Sequence, residues 1–328
     1  MTKTIKDQKE TEDTLNVILK EEQEETTEKN NITRTNEAIK TGVIGIIGNL
    51  ILFILKLGTS FLSGSIAILS EGIDNLIDCI SSITAVIGFY ASEVEGEKTH
   101  PYGHGRMEYI SGLFISIIIM STGILLMKKS ITNLIDPVKP DIIPLLFIVS
   151  IISIIIKLGL VLYTKNKNKS IESSALNANI KNYSSDILAT SATLISFIIS
   201  PFTTLPVDGI LGLIISIIIF YSGIPAFSEN IILLIGKGAN EEDEKKIESI
   251  IMKYPIFDKL KDFEVHDYGP EHKIAIIQIS LKESFDNKEL KDDINKIKNE
   301  IKNKFKFEPY IYVDVDEIIK IKEKTYLI

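Results

Sequence analysis

Six stretches of this chain, at about 40–62, 65–91, 108–135, 142–163, 173–200 and 207–235, are apolar and long enough to cross a membrane. About 20 helical residues, each rising 1.5 Å, cover roughly 30 Å of hydrocarbon. Lipid offers no water to pair with free N–H and C=O groups, so a spanning segment must satisfy its own backbone, as a helix does. The stretch IIPLLFIVSIISIIIKLGLVLY is rich in β-branched residues that would suit a strand in water. Its length decides for helix. The charges are distributed accordingly. Residues 41–236 carry 13 acidic and 11 basic side chains, whereas the much shorter flanks carry 10 and 7 (residues 1–40) and 21 and 18 (residues 237–328). That contrast excludes a uniform soluble globule and describes a membrane domain with aqueous appendages. The single cysteine, Cys79, excludes a disulfide framework within one chain.

Three regions follow: an acidic N-terminal tail at 1–37, disordered or loosely helical; a six-helix transmembrane domain at 38–236; and a C-terminal domain at 237–328. The N-terminus shows no basic stretch followed by an apolar run, so no cleavable signal peptide is expected. In the C-terminal region EEDEKKIESIIMKY and KELKDDINKIKNEIKNKF have helical spacing, while FEVHDY, KIAIIQISLK and YIYVDVDEI alternate like strands. The order α-β-β-α-β predicts a small open sheet with helices on one face. The connections carry the orientation signal. Lys98 and Arg106 lie between spans 2 and 3, and Lys165, Lys167 and Lys169 between spans 4 and 5. The other side offers Lys139 and no basic residue in SPFTTLPVD, although Lys128 and Lys129 lie near its end of span 3. The positive-inside rule therefore places both termini in the cytoplasm.

Ionisable groups at membrane depth are costly and mark function by default. Span 2 reads SIAILSEGIDNLIDCISSITAV, with Glu71, Asp74 and Asp78 on one face; span 5 carries Asn182 and Asp186 one turn apart. If the two faces meet, Asp74, Asp78, Asn182 and Asp186 form a compact set of oxygen ligands for a divalent cation. The alternative is structural: the carboxylates line a wet vestibule or pair with Lys56 of span 1 and Lys157 of span 4, either of which can also reach an interface. The loop EGEKTHPYGHGRMEY places Glu97, His100 and His104 at metal-ligand spacing, with loop hydrogen bonding as the structural alternative. Cys79 points about 100° from the Asp78 direction and reads as packing. Asp208 reads as a helix cap or part of an exit path, Glu71 as part of a vestibule, and His266 and His272 as surface or turn residues.

The segments SEGIDNLID, HPYGHGRMEYISGLF, NYSSDILATSA, VDGILGLIIS and VHDYGP together resemble the cation diffusion facilitator family over residues about 40–318. The resemblance implies a ferredoxin-like cytoplasmic domain and a homodimer in the cytoplasmic membrane. It also implies export of divalent metal in exchange for protons, through a transport site at Asp74, Asp78, Asn182 and Asp186. Zinc-preferring relatives usually carry a histidine in that set; three Asp and one Asn look like the manganese-exporting branch. Ser280, Asp314 and Asp316, beside His266, fall near positions that bind regulatory metal in some relatives, but most of the histidines used there are missing.

The expected substrate is therefore Mn2+, with Zn2+ or Fe2+ as alternatives and protons as the counter-ion; no prosthetic group, enzymatic activity or nucleic-acid partner is expected. Clustered carboxylates repel one another, so a cation and protons compete for the same oxygens. Moving such a site between two cavities couples their fluxes. An intramembrane aspartyl protease is a rival from another class, using one Asp from each of two helices. Such proteases need a GxGD-type sequence, which neither Asp78 nor Asp186 has.

Overall fold

The computed structural model describes residues 33–62, 66–136, 144–203, 205–270, 272–282, 287–305 and 307–314. Six long helices come first: α1 (Thr33–Leu62), α2 (Ile66–Ser92), α3 (Met107–Ile135), α4 (Pro144–Ile171), α5 (Ser174–Ile199) and α6 (Val207–Ile235). Each has the length and apolarity to cross a membrane. Two of them outrun the apolar stretches that predict them. Helix α1 already includes Thr33–Glu37, assigned above to the tail, and α4 continues through KNKNKS to Ile171. An apolar run marks only the embedded part, because a helix keeps its own backbone bonds when it emerges into water. The rest of the tail lies outside the described residues.

The close pairing of α3 with α6 is made by small residues. A Cβ on Gly123 of α3 would come within 2.8 Å of the Phe220 backbone nitrogen in α6, so only glycine permits that approach. Between α4 and α5 the chain turns through Glu172, at a left-handed φ of 54°, and Ser173 then caps α5 by accepting from the Leu176 N–H at 3.2 Å.

The C-terminal domain contains α7 (Glu241–Ile251), β1 (Phe257–Asp267), β2 (Lys273–Leu281), α8 (Asn287–Phe305) and β3 (Phe307–Asp314), the order read from the sequence. Asn240 caps α7 by accepting from the Glu242 N–H at 2.9 Å, and four acidic residues fill its first turn, where the helix dipole favours them. Strands β1 and β2 are antiparallel, while β2 and β3 are parallel. The parallel pair requires a crossover, which α8 supplies. Ile247, Ile251, Phe257, Ala275, Ile277, Ile297 and Ile301 form one core between the sheet and its two helices. This is a ferredoxin-like arrangement below a six-helix membrane domain.

The two units are joined at the start of α3. Arg106 donates from Nε and a terminal nitrogen to the Asp267 carbonyl at 2.9 and 2.6 Å, and the Tyr109 hydroxyl donates to the Asp267 carboxylate at 2.9 Å. Tyr102 stacks on Tyr268 at 4.1 Å, while Gly105 and Gly269 (φ 144°) bring the two backbones together. Nearby, Arg34 of α1 grips the buried Glu108 carboxylate at 3.1 and 3.2 Å and donates to the Ile171 carbonyl at 2.8 Å, tying α1, α3 and α4 at one side.

Candidate metal centre

Helix α2 turns Asn75, Asp78, Cys79, Ser82, Ala85 and Phe89 inward, and α5 does the same with Asn179, Asn182 and Tyr183. Those two stripes bring Asp78 and Asn182 into contact: the Asn182 amide nitrogen donates to Asp78 Oδ1 at 3.0 Å. Asp78 Oδ2 accepts from Lys157 of α4 at 2.8 Å, and the same ammonium donates to Asp186 Oδ2 at 2.5 Å. Lys157 Nζ also lies 5.4 Å from the centroid of the Tyr183 ring, whose hydroxyl is 3.0 Å from Ser82 Oγ. Three helices thus converge on one ammonium with three of the four residues that the sequence singles out.

The fourth, Asp74, is exposed one turn away on α2 and makes no hydrogen bond or ion pair among the described residues. Glu71 pairs with the buried Lys56 of α1 at 3.2 Å. Both lysines therefore meet carboxylates, as in the structural alternative raised above. Asp208 is not a cap. Pro206 holds the cap position of α6, and Asp208, in the first turn, accepts from the Asn133 amide of α3 at 2.7 Å. Cys79 is buried with its thiol 3.8 Å from the Ile46 carbonyl, a packing role.

In the loop between α2 and α3, one ligand atom each from Glu97, His100 and His104 lies within 4.8 Å of the others. Reciprocal backbone bonds between Glu97 and His100, both 3.1 Å, close the turn, and Gly103 takes the left-handed φ of 73° that it needs. Hydrogen bonds from Thr99 and then His100 hold the Glu97 carboxyl below the usual carboxylate range. The His100 and His104 rings stand 4.6 Å apart. Two imidazoles and a carboxylate suit zinc or another borderline divalent ion. In the C-terminal domain, Asp314 instead pairs with Lys261 at 2.6 Å and Ser280 donates to the Lys259 carbonyl at 3.3 Å; Asp316 lies outside the described residues.

Asn49 is a further polar group in the bundle, outside the motifs named above. It is fully buried in α1, and neither of its amide atoms has a partner among the described residues. Gly45, one turn earlier, lies against the Tyr183 hydroxyl and Ser82, while Gly42 faces Val86 and Lys56 faces Gly72. Helices α1 and α2 therefore run antiparallel with Asn49 at the depth of Asp78. An amide in the apolar run VIGIIGNLILFIL was the available signal.

A family model described as the cation efflux transmembrane domain matches residues 42–235, more than half of the chain. The chain belongs to the cation efflux (cation diffusion facilitator) family. It is 25% identical over 280 residues to an uncharacterised transporter of Methanocaldococcus jannaschii, covering 85% of this chain and 99% of that relative. The cation-efflux pump FieF of Klebsiella pneumoniae is 25% identical over 225 residues, 69% of this chain and 75% of the pump. FieF of Salmonella arizonae is 26% identical over 227 residues, 69% of this chain and 76% of the pump. This cation efflux transporter is a multi-pass membrane protein, and its polar centre lies inside the matched segment.

Proposed function

We propose that this transporter exports a divalent metal from the cytoplasm in exchange for protons, with Mn2+ as the favoured substrate. In this reading it works as a homodimer in the cytoplasmic membrane with both termini in the cytoplasm. Asp74, Asp78, Asn182 and Asp186 are the transport ligands. The observation that carries the reading is the meeting of Asp78, Asn182 and Asp186 across α2 and α5 around a bound positive charge, deep in a membrane bundle. Such a cluster attracts cations, and a metal and protons exclude one another from the same oxygens. Alternating exposure of the cluster to either side then couples the two fluxes. Glu97, His100 and His104 form a second metal position at the domain junction, and Glu71 and Asp208 lie along the route. An all-oxygen transport set lacks the imidazole that favours zinc, which is the support for manganese.

The test is metal-driven proton flux in proteoliposomes, comparing Mn2+, Zn2+, Fe2+ and Co2+. Mn2+ should drive the largest flux, and Asp78→Ala or Asp186→Ala should abolish it with the protein still inserted. A larger flux with Zn2+ or Fe2+ assigns that ion instead. Near-normal export by either alanine variant removes the site.

A further inference from the structure

Lys157 stands near the midpoint of α4, with its side chain 4% exposed. A lysine at that depth is costly, and its usual relief is to stretch toward an interface. Here it points inward instead. Its ammonium donates to Asp78 Oδ2 at 2.8 Å and Asp186 Oδ2 at 2.5 Å, and lies near the Tyr183 ring. The second oxygen of Asp78 is also engaged, by the amide nitrogen of Asn182. Both oxygens of Asp78 are thus engaged by protein donors, and a metal at Oδ2 must compete with the ammonium.

The spacing matters as much as the charge. Oxygens sit about 2.0–2.6 Å from zinc, magnesium or calcium, close to the 2.8 and 2.5 Å at which the ammonium holds Asp78 and Asp186, respectively. The lysine therefore holds an oxygen of each of two repelling carboxylates at nearly the distance from one cation that a divalent ion requires. Without it, both would stand uncompensated in a low-dielectric interior.

We propose that Lys157 is a tethered cation that fills the transport site of the metal-free carrier and is displaced by the arriving metal. This rests on the transport-site reading above and deepens it. Lys157 becomes a positioning and specificity-determining residue for export. It sets the affinity by competing for the same two Oδ2 atoms, so a monovalent ion gains too little to displace it. It also compensates whichever carboxylate stays ionised while the metal-free, proton-loaded carrier returns to its inward-facing state. A merely structural ion pair would predict the reverse affinity change, because removing it would loosen the packing of α4 against α5 and blunt the site.

The experiment is calorimetric titration of the purified full-length protein with Mn2+ at constant pH, alongside export in proteoliposomes. Lys157→Gln should bind Mn2+ roughly tenfold or more tightly, since a positive charge has left the site, yet export more slowly because the empty carrier returns less readily. Lys157→Arg keeps the charge and should bind no more tightly than the wild type. Unchanged or weaker binding by Lys157→Gln overturns the inference. Asp78→Ala is the control for the underlying reading: if it keeps the full metal stoichiometry, the transport site itself is misassigned, whatever the lysine variants show. The wild type provides a measurement independent of folding in the variants. Saturating Mn2+ should raise acylation of Lys157 by a small amine-reactive reagent several-fold, read by peptide mass spectrometry. Unchanged or reduced labelling overturns the inference.

Discussion

The Asn182 amide donates to Asp78 through its nitrogen at 3.0 Å, and both side chains are buried where α2 meets α5. Substituting histidine there adds one imidazole to an otherwise all-oxygen set. Zinc binds most oxygen sites at least as tightly as manganese, so an oxygen set discriminates through coordination number. A cage completed to six by water penalises the tetrahedral preference of zinc. Asn182→His should therefore raise zinc export relative to manganese, with the manganese tolerance of the host falling in parallel; an unchanged ratio defeats the ligand argument. The loop makes a separable prediction. Replacing both His100 and His104 with alanine should remove one metal per chain at equilibrium and slow export without changing the ion carried. Lost stability at unchanged metal stoichiometry would make the loop structural. The meeting of Asp78, Asn182 and Asp186 was legible because a four-residue step fixes a helix face. The pairing of Lys157 was legible only as an alternative to metal ligation. That lysine stands in the apolar part of α4, where few polar residues reveal the rotation of the helix about its own axis.

At the scale of elements, length alone identified the six spans, and alternation identified the three strands, because both rest on backbone satisfaction and side-chain period. Helix pairing and the domain junction were hidden. The segment VHDYGP was legible as a motif, but its role depends on which groups it meets in space. Its Asp267 is 3% exposed, accepts from the Tyr109 hydroxyl and the Gly269 N–H, both at 2.9 Å, and lies 3.4 Å from Lys273. Tyr109→Phe removes the donor reaching that carboxylate from the membrane domain, and Arg106→Ala removes both bonds to the Asp267 carbonyl. A buried acceptor left short of a partner costs about 1–3 kcal/mol. Each variant should speed amide exchange in β1 and in the first turn of α3, measured by mass spectrometry on the full chain. Unchanged exchange in both would mean that the junction is held by the Tyr102–Tyr268 stack and the Gly105–Gly269 approach alone.

For the whole molecule, the outstanding surface is the far face of the sheet. Helices α7 and α8 share a core with Ala275, Ile277 and Ile279 of β2. The opposite face sets Glu264, Ile276 and Tyr310 side by side, followed by Asp262, Gln278 and Tyr312 in the next row. Tyr310 is 47% and Tyr312 58% exposed. A domain of this size buries limited apolar surface by itself, and large exposed aromatics, here on the edge strand β3, are among the groups that dominate protein contacts. A second copy of the chain, packing its own sheet here, would cover both tyrosines symmetrically. Replacing Tyr310 and Tyr312 with glutamate would then set four carboxylates against one another across the twofold axis. The loss expected at such anchors is about 2 kcal/mol or more, roughly thirtyfold or greater in the dimer dissociation constant. In detergent, the mass of the full-length protein measured by light scattering should fall from dimer toward monomer in the double variant. A wild type that is monomeric from the outset would remove the homodimer, and a double variant that stays fully dimeric would place the contact elsewhere, among the membrane helices.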